Sequence, residues 1–123
     1  MSRTILVVDD SPTVVKFVSF SLKTRGYRVV TARDGMDAIE KLSALTDGVD
    51  LIITDLNMPN LDGYTFIEAV RRNKEHQDIP IIILSSEEGQ ADRSRGLSVG
   101  ANSYLVKPFE SERLLNEVSR YLK

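Results

Sequence analysis

The chain has 123 residues, 41% of them hydrophobic and 28% charged, with a net charge of -2 and no cysteine. That length suits one domain with a real core, and the composition is ordinary for a soluble globular protein. The near-balanced charge excludes a global attraction to nucleic acid or anionic membrane, and the missing cysteine excludes disulfides, thiol catalysis and thiolate metal sites. Apolar runs are far shorter than a membrane span. Met1-Ser2-Arg3 leads into the first strand without an apolar signal region, so a cytoplasmic protein without membrane insertion is expected.

Ile5-Leu6-Val7-Val8 reads as a strand buried on both faces and ends at Asp9 and Asp10. Ser11 can cap the next helix, with Pro12 at its first position, where a missing N–H costs nothing. Val14, Val15, Val18 and Leu22 mark its inner face, and Gly26 suits its stop. Arg28 to Thr31 is a less apolar strand, suited to a sheet edge. Asp34-Gly35 then turns into a helix carrying Ala38, Ile39, Leu42 and Leu45 inward. The third strand, Asp50 to Thr54, ends at Asp55 and is followed by the turn-rich loop Asn57-Met58-Pro59-Asn60-Leu61-Asp62-Gly63. Phe66, Ile67 and Val70 form the inner stripe of the third helix. Pro80 opens the fourth strand, which ends at Ser85-Ser86.

A fourth helix over Glu87 to Val99 is poor in apolar residues and contains Gly89 and Gly96, each costing about 1 kcal/mol relative to alanine. It is expected to be the least stable or most adjustable element. The fifth strand delivers Lys107-Pro108, and Leu114, Leu115, Val118 and Leu122 anchor a terminal helix. This βα alternation implies right-handed crossovers and a doubly wound α/β sandwich of three layers.

If the first, third and fifth strands are parallel, Asp9, Asp10, Asp55 and Lys107 converge at the carboxyl edge of the sheet, where ligands bind in open α/β folds. A carboxylate can attack phosphorus and form an acyl phosphate. Asp55 would be that nucleophile. Asp9 and Asp10 would hold Mg²⁺, a hard ion that prefers a few carboxylates together with water and phosphate oxygens. The backbone carbonyl of Asn57 could complete that set. Lys107 would supply fixed positive charge to a phosphate oxygen, and Ser85 a hydroxyl donor. Each residue alone has a plainer reading. An Asp after a strand is ordinarily a turn residue or helix cap, Ser85 a helix cap, Lys107 a solvated lysine and Tyr104 half-buried core. His76, the only histidine, reads as a solvated loop residue. The ordered set favours the functional reading.

Over Thr4 to Lys123 the chain resembles the receiver domain of bacterial two-component response regulators. The resemblance is carried by Val7-Val8-Asp9-Asp10-Ser11-Pro12, Asp55 to Gly63, Ser85, and Tyr104-Leu105-Val106-Lys107-Pro108-Phe109. The Asn57-Met58-Pro59-Asn60 loop and Tyr104 make it most similar to single-domain, CheY-like chemotaxis regulators. The resemblance implies a flavodoxin-like (βα)5 fold with strand order 2-1-3-4-5, in one receiver domain over 1–123 without an output domain. It implies Asp55 as phosphoacceptor, Asp9 and Asp10 as Mg²⁺ acids, Lys107 as the phosphate lysine, Ser85 as switch hydroxyl and Tyr104 as aromatic switch. It further implies a sensor histidine kinase as phosphodonor. A downstream protein target would be bound by the face of the fourth helix, fifth strand and terminal helix, with the chain a monomer.

Two positions depart from the commoner pattern. Ser85 stands where many members have Thr, losing the methyl that stiffens χ1. Ser86 stands where chemotaxis members often have Ala, and could crowd or hydrogen-bond a phosphoryl group. Asn57 and Glu87 match the chemotaxis types at the positions bordering the hydrolytic water, which implies a short-lived phosphoryl group.

Rival functions are weaker. A Mg²⁺-dependent phosphohydrolase would usually carry a second acid two residues after the nucleophile, where this chain has Asn57. A flavin or nucleotide module would be expected to show a Gly-x-Gly-x-x-Gly turn, and Asp9-Asp10 would repel a phosphate lacking a metal. No basic stripe for DNA is present. Within the leading class, a stand-alone or phosphorelay receiver outside chemotaxis shares every phosphorylation residue.

Overall fold

The computed structural model describes residues 2–45, 47–86 and 90–122, the side chain of Gln90 excepted. Strands and helices alternate along it: β1 Thr4–Val8, α1 Pro12–Lys23, β2 Arg28–Ala32, α2 Gly35–Ala44, β3 Leu51–Thr54, α3 Gly63–Arg72, β4 Ile81–Ser85, α4 Gln90–Ser98, β5 Ser103–Val106 and α5 Ser111–Tyr121. The strands pair in parallel, in the order β2-β1-β3-β4-β5. The less apolar second strand lies at an edge, as its composition suggests.

The two-residue period of a strand divides the core. Ile5, Val7, Leu51, Ile53, Ile82, Leu84 and Leu105 pack with Val18 and Leu22 of α1 and with Leu114, Leu115 and Val118 of α5. Leu6, Val8, Ile52, Ile81, Ile83 and Tyr104 pack on the other face with Ala38 and Leu42 of α2 and Phe66, Ile67 and Val70 of α3. Burying one such aliphatic side chain contributes about 1.5–3 kcal/mol. The centre of the sheet is therefore an apolar slab, with the buried polar side chains Thr4, Thr54, Ser85 and Ser103 at the termini of its strands.

The helix starts follow the cap residues. Ser11, Asp34 and Asp62 each sit in extended backbone and accept from the N–H three residues on, at Val14, Asp37 and Thr65. Gly26 and Gly100 adopt φ +84° and +125°, the left-handed region that favours glycine after a helix.

Several boundaries differ from expectation. β3 begins at Leu51; the Asp50 carboxylate instead accepts from the Thr4 N–H at 2.8 Å. Pro80 precedes β4 because it has no N–H for the ladder, though its carbonyl accepts from the Ile52 N–H at 2.9 Å. β2 runs one residue further, to Ala32, and β5 starts one earlier, at Ser103. Within the fourth helix, Glu87, Glu88 and Gly89 lie outside the described residues, and α4 ends at Ser98. Val15 is not on the inner face of α1. It lies beside Asp9, Asp10 and Thr31 at the mouth of the groove between α1 and β2.

Two glycines set how closely helices approach the functional edge. A Cβ on Gly96 would lie 2.6 Å from Ile83 Cδ1 and 3.5 Å from the Tyr104 ring, so α4 rests on the sheet through a bare backbone. This outweighs the propensity cost of glycine in that helix. A Cβ on Gly63 would collide with the Asp55 carbonyl oxygen and lie 2.7 Å from Leu56 Cα. The Gly63 N–H also donates to the Leu56 carbonyl at 2.8 Å. Helix propensity alone would favour alanine at position 63 by about 1 kcal/mol. The steric term opposes it, so Gly63→Ala is expected to destabilise the fold by about 1–3 kcal/mol in urea unfolding. An unchanged or higher midpoint would contradict this packing.

Candidate functional site

Asp9, Asp55 and Lys107 each stand one position beyond a strand and are fixed there by one more ladder bond. The Asp9 N–H donates to Ala32 O at 3.1 Å, Asp55 N–H to Val8 O at 2.9 Å, and Lys107 N–H to Ser85 O at 2.8 Å. The register that pairs Val8 with Thr54, Thr54 with Ile83 and Ser85 with Val106 thus brings them to one edge. The Lys107-Pro108 peptide is cis.

Lys107 bridges the acids. Its Nζ donates to Asp9 Oδ2 at 2.8 Å and lies 3.7 Å from Asp55 Oδ2. One carboxylate oxygen from each of Asp9, Asp10 and Asp55 lies within 4.8 Å of the other two. Asp9 and Asp55 are only 3% and 8% exposed, while Asp10 faces solvent. Asp9 Oδ1 accepts from the Ser11 N–H at 2.9 Å, and Asp55 Oδ1 from the Leu56 N–H at 2.8 Å. The donor set is all hard carboxylate oxygen around one open side, chemistry that fits Mg²⁺ or a similar divalent ion.

Burial pushes the Asp55 carboxyl above the ordinary carboxylate range. The Lys107 ammonium opposes this, the charge of Asp9 reinforces it, and the N–H groups of Leu56 and Asn57 oppose it again. Partly buried charge and a nearby like charge are the features of a functional acid rather than a turn residue.

The remaining expected residues are placed as follows. Ser85 is the last residue of β4 and wholly buried. Ser86 is exposed and lines a groove with Lys107, Pro108, Phe109, Val14 and Phe17. Asn57 is exposed on the loop after Asp55. Glu87 lies outside the described residues. Tyr104 is buried rather than half-buried, with Arg93 stacked 5.4 Å from its ring centroid. His76 is partly buried and borders a depression with Ile39, Leu42 and Val70, away from the acids.

Sequence reasoning gave no role to Tyr64, Arg95 and Asp92, which hold α4 to α3. Arg95 lies 3.9 Å over the Tyr64 ring, and the Tyr64 hydroxyl donates to Asp92 Oδ1 at 3.4 Å. Nothing local in the sequence signals this pairing, because the partners come from different helices.

The raised carboxyl has a consequence for stability. Asp55 binds its proton more tightly in the folded chain than in the unfolded one, whose value is near 3.8. Its ionisation therefore costs stability as pH rises through the window between 3.8 and the folded value, and the whole cost is present above that window. Asp55→Asn is expected to raise the unfolding temperature at neutral pH in the absence of metal, with a gain that shrinks as pH falls toward 3.8. A lower unfolding temperature for Asp55→Asn at neutral pH would contradict this.

Comparison with known proteins agrees with this geometry. Residues 5–119 match the response regulator receiver domain. The chain is 36% identical over 118 residues to the protein PilG of Pseudomonas aeruginosa, covering 96% of this chain and 86% of PilG. It is also 36% identical over its whole length to the alkaline phosphatase synthesis transcriptional regulatory protein PhoP of Bacillus subtilis, of which it spans only 50%. Among solved structures, the chemotaxis response regulator CheY4 of Vibrio cholerae superposes with a TM-score of 0.92 at 38% identity, covering 99% of this chain and 100% of that one. The receiver domain of the sensor histidine kinase PA1611 from Pseudomonas aeruginosa, which carries a magnesium ion in its active-site cleft, superposes with a TM-score of 0.89 at 32% identity, covering 98% of each chain. Among the described residues no helix is long and apolar enough to cross a membrane. The chain belongs to the response regulator receiver family and is a CheY-like receiver domain.

Proposed function

We propose that this chain is a phosphorylation-driven signalling switch that takes a phosphoryl group from a histidine kinase onto Asp55, with Mg²⁺, and signals by altered protein binding. The observation that carries the reading is Lys107 held between Asp9 and Asp55, beside an acidic cluster that suits a divalent ion. In the transfer, an Asp55 carboxylate oxygen bonds to phosphorus as the phosphorus–nitrogen bond of a phosphohistidine breaks, and the imidazole leaves. Mg²⁺, when bound, would supply positive charge to offset that of the transferred group. Asp9, Asp10, Asp55 and the Asn57 carbonyl would hold it. Lys107 can leave Asp9 for a phosphate oxygen, and Ser85, at the end of the neighbouring β4, can donate its hydroxyl to another.

Phosphorylation adds about -1.5 to -2 charge and three strong acceptors at a buried edge. Drawing Ser85 toward the new oxygens would alter the packing of Tyr104, which lies on Gly96 of α4. α4 is a fitting two-state element because its attachment relies on Gly96 and two arginine–tyrosine stacks rather than on a broad apolar face. The face of α4, β5 and α5 is then the surface offered to a downstream target. The likeness to the chemotaxis regulator CheY4 supports a place in chemotaxis or motility control. Phosphohydrolase action on external substrates is disfavoured by Asn57 at the acid/base position.

Incubation with acetyl phosphate and Mg²⁺ should add the mass of one phosphoryl group to the wild type, and none to Asp55→Asn or without the metal. Phosphate should then be lost by self-hydrolysis rather than by turnover. Labelling of Asp55→Asn, steady turnover of small phosphoesters, or a phosphoryl group stable for many hours at neutral pH would contradict the reading.

A further inference from the structure

We propose that Asp34 and Asn60 are positioning residues for the cation half of the site, an inference that rests on the phosphorylation reading above. The loop from Asn57 to Asp62 carries the carbonyl assigned to the metal, yet Asn57, Pro59 and Asn60 are exposed. Met58 and Leu61 pack against the core, and the loop is also tied to another segment by the hydrogen bond from Asn60 Nδ2 to Asp34 Oδ2, at 2.7 Å and across 26 positions of sequence. Asp34 is itself 5% exposed. Its other oxygen, Oδ1, accepts from the Asp37 N–H at 2.8 Å and so caps α2. One carboxylate therefore starts a helix with one oxygen and holds the loop with the other.

A second, independent contact lies beside it. A Cβ on Gly35 would be 2.8 Å from the Leu61 carbonyl oxygen, so the start of α2 touches the loop backbone directly. Asn60 takes φ +69°, a conformation that Asn and Asp adopt more readily than other non-glycine residues. The loop is thus bent toward α2 at Asn60. Asn57 lies three positions upstream of that bend and two beyond Asp55. Cutting the tie loosens the far end of the loop segment that carries the Asn57 carbonyl, while the Asn57 N–H stays on the Asp55 carboxylate. Groups that orient a metal's ligands commonly change its affinity by about 10–100-fold.

The pair can be tested by exchanging its partners. Asp34→Asn keeps an equally good helix cap, and its amide N–H can pair with Asn60 only if the Asn60 amide turns over to offer its oxygen. Asn60→Asp sets two carboxylates against each other. The double variant Asp34→Asn/Asn60→Asp restores a hydrogen bond of reversed polarity, with the net charge of the wild type. Mg²⁺ alone is titrated into each protein by calorimetry, and unfolding temperatures are recorded alongside. Asn60→Asp should bind Mg²⁺ about tenfold more weakly, and Asp34→Asn should lose less. The double variant should recover most of that loss. Asn60→Asp discriminates the cause, since an added negative charge acting only through space would tighten the cation. Overturning results are an Asn60→Asp that binds Mg²⁺ as the wild type does or more tightly, or a double variant whose losses simply add. A wild type that binds no Mg²⁺ would instead overturn the phosphorylation reading, and this inference with it.

Discussion

Three carboxylates against one ammonium, at the mouth of an apolar sheet, is the constraint on which the rest of this structure depends. Lys107 sits 2.8 Å from Asp9 and 3.7 Å from Asp55, with Asp10 at the rim. A single lysine cannot balance that charge, and desolvation makes the imbalance cost more than it would in water. An edge selected for stability alone would not gather these groups. Its hard carboxylate oxygens suit a divalent cation, as the proposed phosphorylation would require.

The strands produce that gathering. Asp9, Asp55 and Lys107 come from segments far apart in sequence, and each is pinned one residue past its strand by a bond to the neighbouring one. A register slip of one residue in β3 would turn Asp55 away from the edge and Ile53 out of the core. The buried aliphatic residues on both sheet faces therefore hold the chemistry in place. Gly63 lets α3 come down against the backbone of Asp55 and Leu56, and Gly96 lets α4 come down against Tyr104. The first contact is rigid backbone on backbone. The second ends on a side chain and a ring, in keeping with an element able to move.

Much of this was legible in the sequence, because short runs such as Ile5 to Val8 and Leu51 to Thr54 have one reading when apolar residues are continuous and bounded by turns. The acids and the lysine fell at one edge on the condition that their strands are parallel, an arrangement the family resemblance implied. Caps were legible too, since Ser11-Pro12 and Asp34-Gly35 carry their own local chemistry. What stayed hidden depends on contacts between distant segments. Val15 was expected on the inner face of α1 with Val14, Val18 and Leu22, yet it lines the acidic groove. Gly96 looked like a weakness of α4, and only the nearness of Ile83 reveals why glycine is there. Asp34 looked like a turn residue and cap; its second oxygen, which holds Asn60, has no signature in the local sequence.

The central claim is that the acidic edge is built to take a divalent cation. It is tested most directly by thermal unfolding of the wild type and of Asp10→Asn across a range of Mg²⁺ concentrations. A cation bound only by the folded chain stabilises it by about 2.7 kcal/mol at a hundred times its dissociation constant. The account predicts an unfolding temperature that climbs with Mg²⁺ in the wild type, and a markedly smaller climb in Asp10→Asn. The same unfolding temperature with and without Mg²⁺ in the wild type, or an equal rise in both proteins, would contradict it.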